Sequence, residues 1–405
     1  MLFLHRRTRG KQENPPEEQQ QQQPPQPAPP VIRYLITPAG VPNFGDEFIT
    51  RAWLRYLAET EPDSIVWVDC VEPGRAVHYF NGLHPHLNFT NTAWWLVWKA
   101  IGMTSDYAEA AEHVKNWVLN LGTPRQDTGI CLMRDATSIH LLGGGYISKD
   151  WYMHALLLRI ARFAKQHNSN LKLYGTGLGL CPLNEKNAED IIESLQHFDY
   201  LTARDGQTAS CFGVPLGVDD AFLGVAAPKE QWQNPAWPSR LFACLQGDVV
   251  GEHPQMVDRI VRAMLDNGAD PSEPLTLIES IPPEDAWSLG LFQERWPGEV
   301  LLLPFLELWN KGVPVGEDTM WATSRFHMHL LGATTGGRGA SLAFGNDYYD
   351  IKHGSLRELG TGWTTLGPEG STAFGKNDGF AQKALELSQA KRKEADAIYR
   401  SVPGA

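Results

Sequence analysis

Cysteine is scarce in this sequence. The 405 residues include five cysteines, which are scattered without a C-x-x-C pair or an even-numbered framework. Zinc sites and disulfide scaffolds need closely spaced or paired cysteines, so neither is expected to organise the fold, and a reducing compartment is favoured. The five positions are Cys70, Cys131, Cys181, Cys211 and Cys244.

Long hydrophobic runs and basic clusters are also lacking. No apolar stretch reaches the roughly 20 residues that a membrane-spanning helix needs. The N-terminal MLFLHRRTRG has no apolar segment after its charges, which argues against a signal peptide. The net charge is −12, without the clustered Lys and Arg residues that neutralise phosphates, so nucleic acid is not an expected partner. We expect a cytoplasmic protein, with peripheral contact at the inner face of the membrane as an open alternative.

Glutamine and proline dominate residues 11–30, KQENPPEEQQQQQPPQPAPP. Such a segment buries too little apolar surface to offset the entropy of ordering it, so residues 1–30 are predicted to be a disordered leader. The whole chain is 42% hydrophobic and 20% charged, which is typical of a globular protein. Its length favours two domains.

From residue 31 onwards, short apolar runs alternate with amphipathic stretches, as in the strand-like VIRYLIT followed by a helix predicted over 46–60. This rhythm predicts parallel sheets with helices on both faces, arranged as two Rossmann-like domains that face a cleft. The predicted domains span 31–227 and 228–372. A C-terminal amphipathic helix, predicted within 373–405, is expected to pack across one domain through Phe380, Ala384, Leu387 and Ala390.

Ligands of open α/β sheets bind beyond the carboxyl ends of the strands, and several polar loops fall there. The first is VPNFGDEF, with Asn43, Gly45 and Asp46 after the first strand. Asp46 is predicted to cap a helix that begins at Glu47. A role in the cleft and a purely structural cap are both compatible with this turn.

Two glycine-rich loops also follow predicted strands: Gly143–Gly145 in GGGYIS, and Gly177 within YGTGLG. Glycines let a backbone approach a ligand closely, but they equally allow tight packing turns. Neither loop has the G-x-G-x-x-G spacing of a dinucleotide site. Arg204, in TARDGQ, also follows a strand, where its fork of donors suits a carboxylate or phosphate. Asp219 and Asp220 are interpreted as a turn that could face the cleft.

The stretch TSRFHMHLLGATTGGRGASLAF joins charged and apolar halves. A helix is predicted to begin near Ser324, with Ser324 as its N-cap, so that Arg325, Phe326 and His327 lie in the first turn. Free amides, the helix dipole and Arg325 would together attract an anion there.

The histidines of this stretch do not predict a metal site. His327 and His329 are two positions apart, so on a helix they point about 200° apart and cannot bind one ion together. His327 is the better general acid or base, and His329 is predicted to pack in the core.

Taken in order, six of these motifs resemble the polysaccharide pyruvyl transferase family over about residues 31–360. They are N-F-G-D at 43–46, G-G-G at 143–145, G-T-G-L-G at 175–179, A-R-D at 203–205, D-D-A-F at 219–222 and S-R-F-H at 324–327.

The resemblance implies a GT-B-like fold and an enzyme that needs no cofactor. Phosphoenolpyruvate would be the donor, its pyruvyl unit would form a ketal on a sugar of a polysaccharide or lipid-linked glycan, and phosphate would be released. Arg325, Phe326 (through its backbone) and Arg204 would bind the donor, and His327 would transfer a proton. Asp46 would line the site, and Asn43, Gly45, Gly144, Gly145 and Gly177 would belong to the substrate-binding loops. A homo-oligomer is an open alternative to a monomer.

Two departures from the family pattern stand out. Phe326 replaces the usual leucine, and GGRG at 336–339 replaces a Gly-x-Pro turn, which would bring Arg338 towards the cleft. The tryptophan-rich segment 92–121 looks like an addition to the family pattern, and the identity of the acceptor sugar stays open.

Two other functions remain possible for such a fold. A glycosyltransferase that uses a nucleotide sugar would need an acidic residue for the ribose hydroxyls, for which Glu317 and Asp318 are candidates. A non-catalytic glycan-binding scaffold would keep the fold without needing Arg204, Arg325 and His327 together.

Overall fold

The computed structural model describes residues 29–247, 254–316, 318–345, 347–377 and 379–400. The predicted leader, apart from its last two residues, lies outside these ranges. Within them no helix is long and apolar enough to cross a membrane.

The first Rossmann-like unit is a six-stranded parallel sheet with the order β3-β2-β1-β4-β5-β6. Its strands are β1 Ile32–Ile36, β2 Ile65–Asp69, β3 Leu87–Thr90, β4 Ser138–Leu141, β5 Lys172–Leu178 and β6 Tyr200–Ala203. Its helices are α1 Phe44–Thr60, α2 Pro73–Phe80, α3 Thr92–Met103, α4 Tyr107–Asn120, α5 Asp127–Arg134, α6 Leu156–His167, α7 Ala188–Leu195, α8 Gly206–Phe212 and α9 Ala221–Val225.

The second unit repeats this architecture with the order β10-β9-β8-β12-β13-β14, again parallel. A two-stranded pair, β7 with β11, lies beside it. The strands are β7 Gln233–Asn234, β8 Leu241–Cys244, β9 Leu275–Ile278, β10 Val300–Leu303, β11 Val313–Pro314, β12 Met320–Thr323, β13 Arg338–Leu342 and β14 Thr364–Leu366. The helices are α10 Gln255–Asp266, α11 Leu289–Arg295, α12 Phe305–Lys311, α13 Phe326–Thr334, α14 Asp347–Glu358 and the C-terminal α15 Phe380–Tyr399.

The two units meet around the N-terminal half of α1. The Phe44 ring packs edge-on against Trp309 of the second unit at 6.3 Å, and one hydrophobic cluster continues through both units. The backbone amide of Phe44 also donates to the carbonyl of Ser280, at 3.0 Å. The start of α1 is therefore fixed against the carboxyl edge of the second sheet, because Ser280 follows β9.

Helix α15 returns from the second unit to the first. Tyr399 packs on Trp53, and its hydroxyl lies 2.7 Å from His140 Nδ1 in the core of the first unit. Lys391 is fully buried and donates to Asp220 at 2.9 Å, an ion pair that also raises the Lys391 pKa although burial alone would lower it. Removing one partner of such a pair typically costs a protein 3–5 kcal/mol.

The predicted buried face of this helix is partly wrong. Phe380 and Ala384 are buried and Leu387 is half-buried, but Ala390 is exposed and the face continues through Ser388 and Lys391. The polar positions are buried because Lys391 meets a carboxylate inside the first unit, which an apolar pattern cannot reveal.

Candidate active site

The first cleft loop leads directly into α1, whose N-cap is Asn43 and not Asp46 as predicted. Asn43 Oδ1 accepts from the Gly45 amide at 3.3 Å, and Asn43 Nδ2 donates to Asp46 Oδ2 at 2.7 Å. The helix begins earlier than predicted because Phe44 enters the core between the two units. Asp46 consequently lies in the first turn, and its carboxylate is not used as a cap.

The Asp46 carboxyl has an unusually high pKa. Its pKa is raised to about 6, mainly by burial and also by the nearby Asp219, although His327, Arg204 and Arg325 oppose the shift. These four groups come from both units, which places Asp46 where the two carboxyl edges meet. A carboxyl with such a pKa can give or take a proton near neutral pH.

Helix α13 begins at Phe326, and its N-cap position is Arg325 instead of the predicted Ser324. Ser324 is buried, and its Oγ accepts from the Gln246 amide at 2.8 Å, so it is not available as a cap. The Arg325 amide donates instead to Thr323 Oγ1 at 3.0 Å. Arg325 and His327 still lie at the start of the helix, where unpaired amides face outwards.

Arg325 is held by Asp285, a residue that the sequence did not single out. Arg325 Nε lies 3.1 Å from both Asp285 carboxylate oxygens, and Nη2 donates to one of them. Asp285 is fully buried and also accepts from the Ser280 and Ile281 amides. This clamp fixes Nε and Nη2 and leaves Arg325 Nη1 without an acceptor among the described residues.

His327 is paired with Asp219. Its Nε2 donates to Asp219 Oδ1 at 3.2 Å, and the histidine side chain is 11% exposed. Burial opposes ionisation of Asp219, but the adjacent His327 and Arg204 outweigh it and hold the pKa of this carboxyl well below its usual range. Asp219 is therefore a permanent anion that orients the imidazole. The interpretation of Asp219 as a turn residue missed this contact.

Arg204 reaches the same carboxylate from the first unit. Its Nη1 donates to Asp219 Oδ2 at 3.2 Å, and its guanidinium carbon lies 4.3 Å from the centre of the Phe326 ring. The Phe326 side chain thus supports Arg204 through a cation–π contact, beyond the predicted backbone role. Arg204 Nε and Nη2 have no acceptor among the described residues.

The glycine loops shape the space around Arg204. Gly145 and Gly179 lie so close to its guanidinium that a Cβ at either position would overlap it. Gly144 lies near Asp46, and its carbonyl accepts from the Gly179 amide at 3.0 Å. Gly177 differs: its φ is +53°, and it packs against Asp220 and not against the Arg204 group.

Asp220 and Arg338 lie outside this constellation. Asp220 is a buried acceptor for Trp53 Nε1, the Gly143 amide, Thr176 and Lys391. Arg338, which the sequence placed towards the cleft, starts β13 at the amino edge of its sheet and donates to the Asn267 carbonyl at 3.0 Å. The expectation for Arg338 was wrong because the glycine turn before it leads into the far end of the strand.

His329 is confirmed as a core residue. It is fully buried, its ring stacks on Trp363 at 4.4 Å, and burial lowers its pKa to about 3. Within the described ranges no group of three or more His, Cys, Asp or Glu side chains is placed to hold a metal ion.

Tyr348 is a further residue near the site that the sequence did not indicate. It follows β13 at the start of α14, and its hydroxyl lies close to Gly145. Burial raises its pKa, whereas the charges of Arg204 and Arg325 lower it. Its position at the junction of both arginines makes it a candidate contact for a bound anion.

Gly45 allows His327 to approach α1, which gives a first prediction. A Cβ at Gly45 would overlap the imidazole at Nδ1, so Gly45→Ala should displace His327 and lower the catalytic rate at least about 10-fold. Gly74→Ala is the matched control, because Gly74 is also the second residue of a helix and has nothing within 4 Å of its Cβ position. Equal turnover by the two variants would contradict this placement of His327.

Comparison with solved structures supports the fold. The chain is similar to a structure described as a UDP-N-acetylglucosamine 2-epimerase from Listeria monocytogenes, with 11% identity, a TM-score of 0.50, and coverage of 93% of this chain and 98% of that one. It also aligns with the spinosyn rhamnosyltransferase SpnG at 12% identity and a TM-score of 0.45, covering 91% and 98%. At 11% identity, the similarity to the epimerase structure bears on the GT-B-like fold alone. A search of curated proteins returned no match.

A sequence profile described as polysaccharide pyruvyl transferase matches residues 43–281. This range covers more than half of the chain, and it includes Asn43, Asp46, Arg204, Asp219 and the two glycine loops. The chain belongs to the polysaccharide pyruvyl transferase family.

Proposed function

We propose that this protein transfers the pyruvyl unit of phosphoenolpyruvate onto two hydroxyls of a sugar in a polysaccharide or glycolipid, forming a ketal and releasing phosphate. The observation that carries the proposal is the convergence of Arg204 and His327 on Asp219, beside Arg325 at the start of α13. The arrangement joins residues of both units in one cleft.

The charges of the site suit the donor. Phosphoenolpyruvate carries a carboxylate and a phosphate, and Arg204 and Arg325 each keep guanidinium N–H groups that no described residue accepts. The first amides of α13 add unpaired donors and the positive end of a helix dipole. Asp219 and Asp285 fix the two arginines in place, which reduces the entropy lost on binding.

The reaction balances as two additions to one carbon. First a sugar hydroxyl oxygen bonds to C2 of the donor while C3 gains a proton and becomes a methyl group. Phosphate then leaves as its bond to C2 breaks, and the second hydroxyl bonds to C2. The two hydroxyl groups release two protons. One proton is taken up at C3, and the departing phosphate takes the other.

His327 and Asp46 are the two groups positioned to move these protons. Ionised Asp219 stabilises the imidazolium that forms whenever His327 accepts a proton. Asp46, with its pKa raised to about 6 by burial, exchanges a proton in the same range. We assign proton transfer to this pair, with Asp219 as the residue that positions His327.

The raised pKa of Asp46 gives a second prediction. The pKa of Asp46 in the folded protein, about 6, lies above its value in the unfolded chain. The folded state therefore binds the proton more tightly, so protonated Asp46 stabilises the fold below about pH 4, and this stabilisation is lost as the pH rises through 6. Asp46→Asn should therefore be more stable than the wild type at pH 8, by about 1–2 kcal/mol for this partly exposed side chain, and equally stable near pH 4. Urea denaturation at both pH values measures the difference.

The same substitution should remove a transition near pH 6 from the pH dependence of kcat/KM. Asp63→Asn is the control, because Asp63 is exposed and lies away from the cleft. A less stable Asp46→Asn protein at pH 8, or an unchanged pH profile, would contradict the assignment.

The rival function, a nucleotide-sugar glycosyltransferase, lacks support at its expected position. Glu317 lies outside the described residues. Asp318 precedes β12, at the opposite edge of the sheet from Arg325, and its carbonyl faces Arg240.

Calorimetric titration distinguishes the donors. Phosphoenolpyruvate should bind the wild-type protein at fixed ionic strength, and Arg204→Met should weaken it at least about 10-fold. UDP-N-acetylglucosamine should give no saturable binding. Binding of the nucleotide sugar without binding of phosphoenolpyruvate would overturn the proposal in favour of the glycosyltransferase.

A further inference from the structure

A cavity of ≈ 320 Å³ lies away from the candidate active site. Its walls come from the middle of α1, the end of α9, the linker at 226–232, and α15. It shares none of its lining residues with the constellation around Asp219. Its volume is at the lower end of the range for small-molecule sites.

Positive charge dominates the lining. Arg51 and Arg55 are one turn apart on α1, and neither forms a salt bridge or donates a hydrogen bond to any described residue. The third arginine, Arg392, donates two hydrogen bonds to the Glu59 carboxylate, of 3.0 and 2.7 Å. Glu59 is the carboxylate in the lining, so two arginine charges remain uncompensated.

Arg51 is buried despite having no acidic partner. The residue is 7% exposed, and its guanidinium carbon lies 4.2 Å from the centre of the Trp309 ring. Burial, together with the like charge of Arg55, lowers its pKa to about 9. The Trp309 ring offsets part of the burial cost but leaves the guanidinium N–H groups without acceptors.

Trp232 is a second aromatic residue next to this cluster. It is 2% exposed and lines the same cavity. Its indole Nε1 is buried and has no hydrogen-bond partner among the described residues. Donors inside a protein are usually satisfied, so the two unpaired arginines of this cavity indicate a place for an oxyanion.

We propose that this cavity binds the phosphate group of a small molecule, with Arg51 and Arg55 as the ionic contacts. A phosphate dianion balances both arginine charges, whereas a single carboxylate balances one. The apolar parts of the lining, including Phe48, Leu223 and Pro228, leave room for the carbon skeleton of a phosphomonoester.

Binding would bring together elements that belong to different parts of the fold. Arg51 lies on α1 and stacks on Trp309 of the second unit, and the linker at 226–232 joins the two units. A ligand that binds only the folded arrangement raises its stability by mass action. The site is separate from the proposed pyruvyl transfer, so each can fail without the other.

The test measures thermal unfolding of the full chain with inorganic phosphate, glucose 6-phosphate or glucose, at constant ionic strength set with NaCl. Both phosphates should raise the Tm of the wild type with saturable dependence, and glucose should not. Arg51→Met and Arg55→Met should each weaken phosphate binding at least about 10-fold. Methionine keeps the apolar stem of the arginine side chain. Arg125→Met, at an exposed position of the first unit, is the control for the loss of one positive charge.

Arg55 is partly exposed, so Arg55→Met keeps the test valid if Arg51→Met does not fold. The variants are compared in an Arg204→Met background, in which phosphate binding at the candidate active site is weakened. A phosphate-dependent Tm increase that Arg51→Met and Arg55→Met both retain in that background would place the phosphate elsewhere and overturn the proposal. If neither inorganic phosphate nor glucose 6-phosphate raised the Tm of the wild type, the proposal would also be overturned. Binding of glucose 6-phosphate but not inorganic phosphate would support the site and show that the sugar contributes contacts.

Discussion

His327→Ala should lower the turnover rate of the enzyme at least about 10²-fold while leaving donor affinity nearly unchanged. Asp219 orients the imidazole of His327 through a hydrogen bond, and the ring lies against Gly45. The substitution therefore removes a proton-transfer group and leaves Arg204 and Arg325 in place. Steady-state rates measured with calorimetric donor binding separate the two effects, because a merely structural histidine would alter both.

His78→Ala is the control for His327→Ala. His78 is an exposed histidine on α2, away from the cleft, and should change neither quantity. If His327→Ala turned over at the wild-type rate, the proton-transfer role of His327 would be wrong, whatever the donor proved to be.

Arg325→Met is expected to abolish donor binding and to destabilise the protein by about 3–5 kcal/mol. The first effect follows from losing a cation at the start of α13. The second arises because Asp285 stays buried with two backbone amide donors but no cation. Calorimetry measures the binding, and urea denaturation measures the free energy of unfolding.

A second substitution separates these two effects. In the Asp285→Asn, Arg325→Met double variant the buried charge is gone, so most of the stability should return. Donor binding should remain lost, since the cation is still absent. Donor binding by the stable double variant would show that Arg325 is structural and that the donor lies elsewhere.

Much of the fold could be predicted because alternating apolar runs and amphipathic helices are local signals. The strand predicted at 31–37 is Ile32–Ile36, and the helix predicted at 46–60 is Phe44–Thr60. The helix ends were less accurate, because capping depends on which side chain is free. Asn43 was free to cap α1, whereas Ser324 was already bonded to Gln246.

The candidate site was predictable where its residues follow strands and unpredictable where they meet across the chain. Strand ends located Asp46, Arg204 and Arg325, since parallel strands present their carboxyl ends on one edge. The contact between His327 and Asp219 joins positions 108 residues apart. Asp285 is separated from Arg325 by 40 residues, and no spacing rule connects them.

The tryptophan-rich segment shows a different limit. Residues 92–121 contain two helices, α3 and α4, because the chain turns at Thr104. Trp94 is buried and donates to the Thr37 carbonyl at 2.8 Å, whereas Trp98 is exposed. Composition identified the aromatic segment, but only packing decides which rings face the solvent.

The most direct test of the proposed function is an assay of the purified protein with phosphoenolpyruvate and a panel of polysaccharide and glycolipid acceptors. Phosphate release and acceptor mass are followed together. We expect phosphate release that depends on an acceptor, with an acceptor mass gain of one pyruvate less one water. Transfer only from a nucleotide sugar would contradict the account, and no transfer from either donor would favour a glycan-binding scaffold.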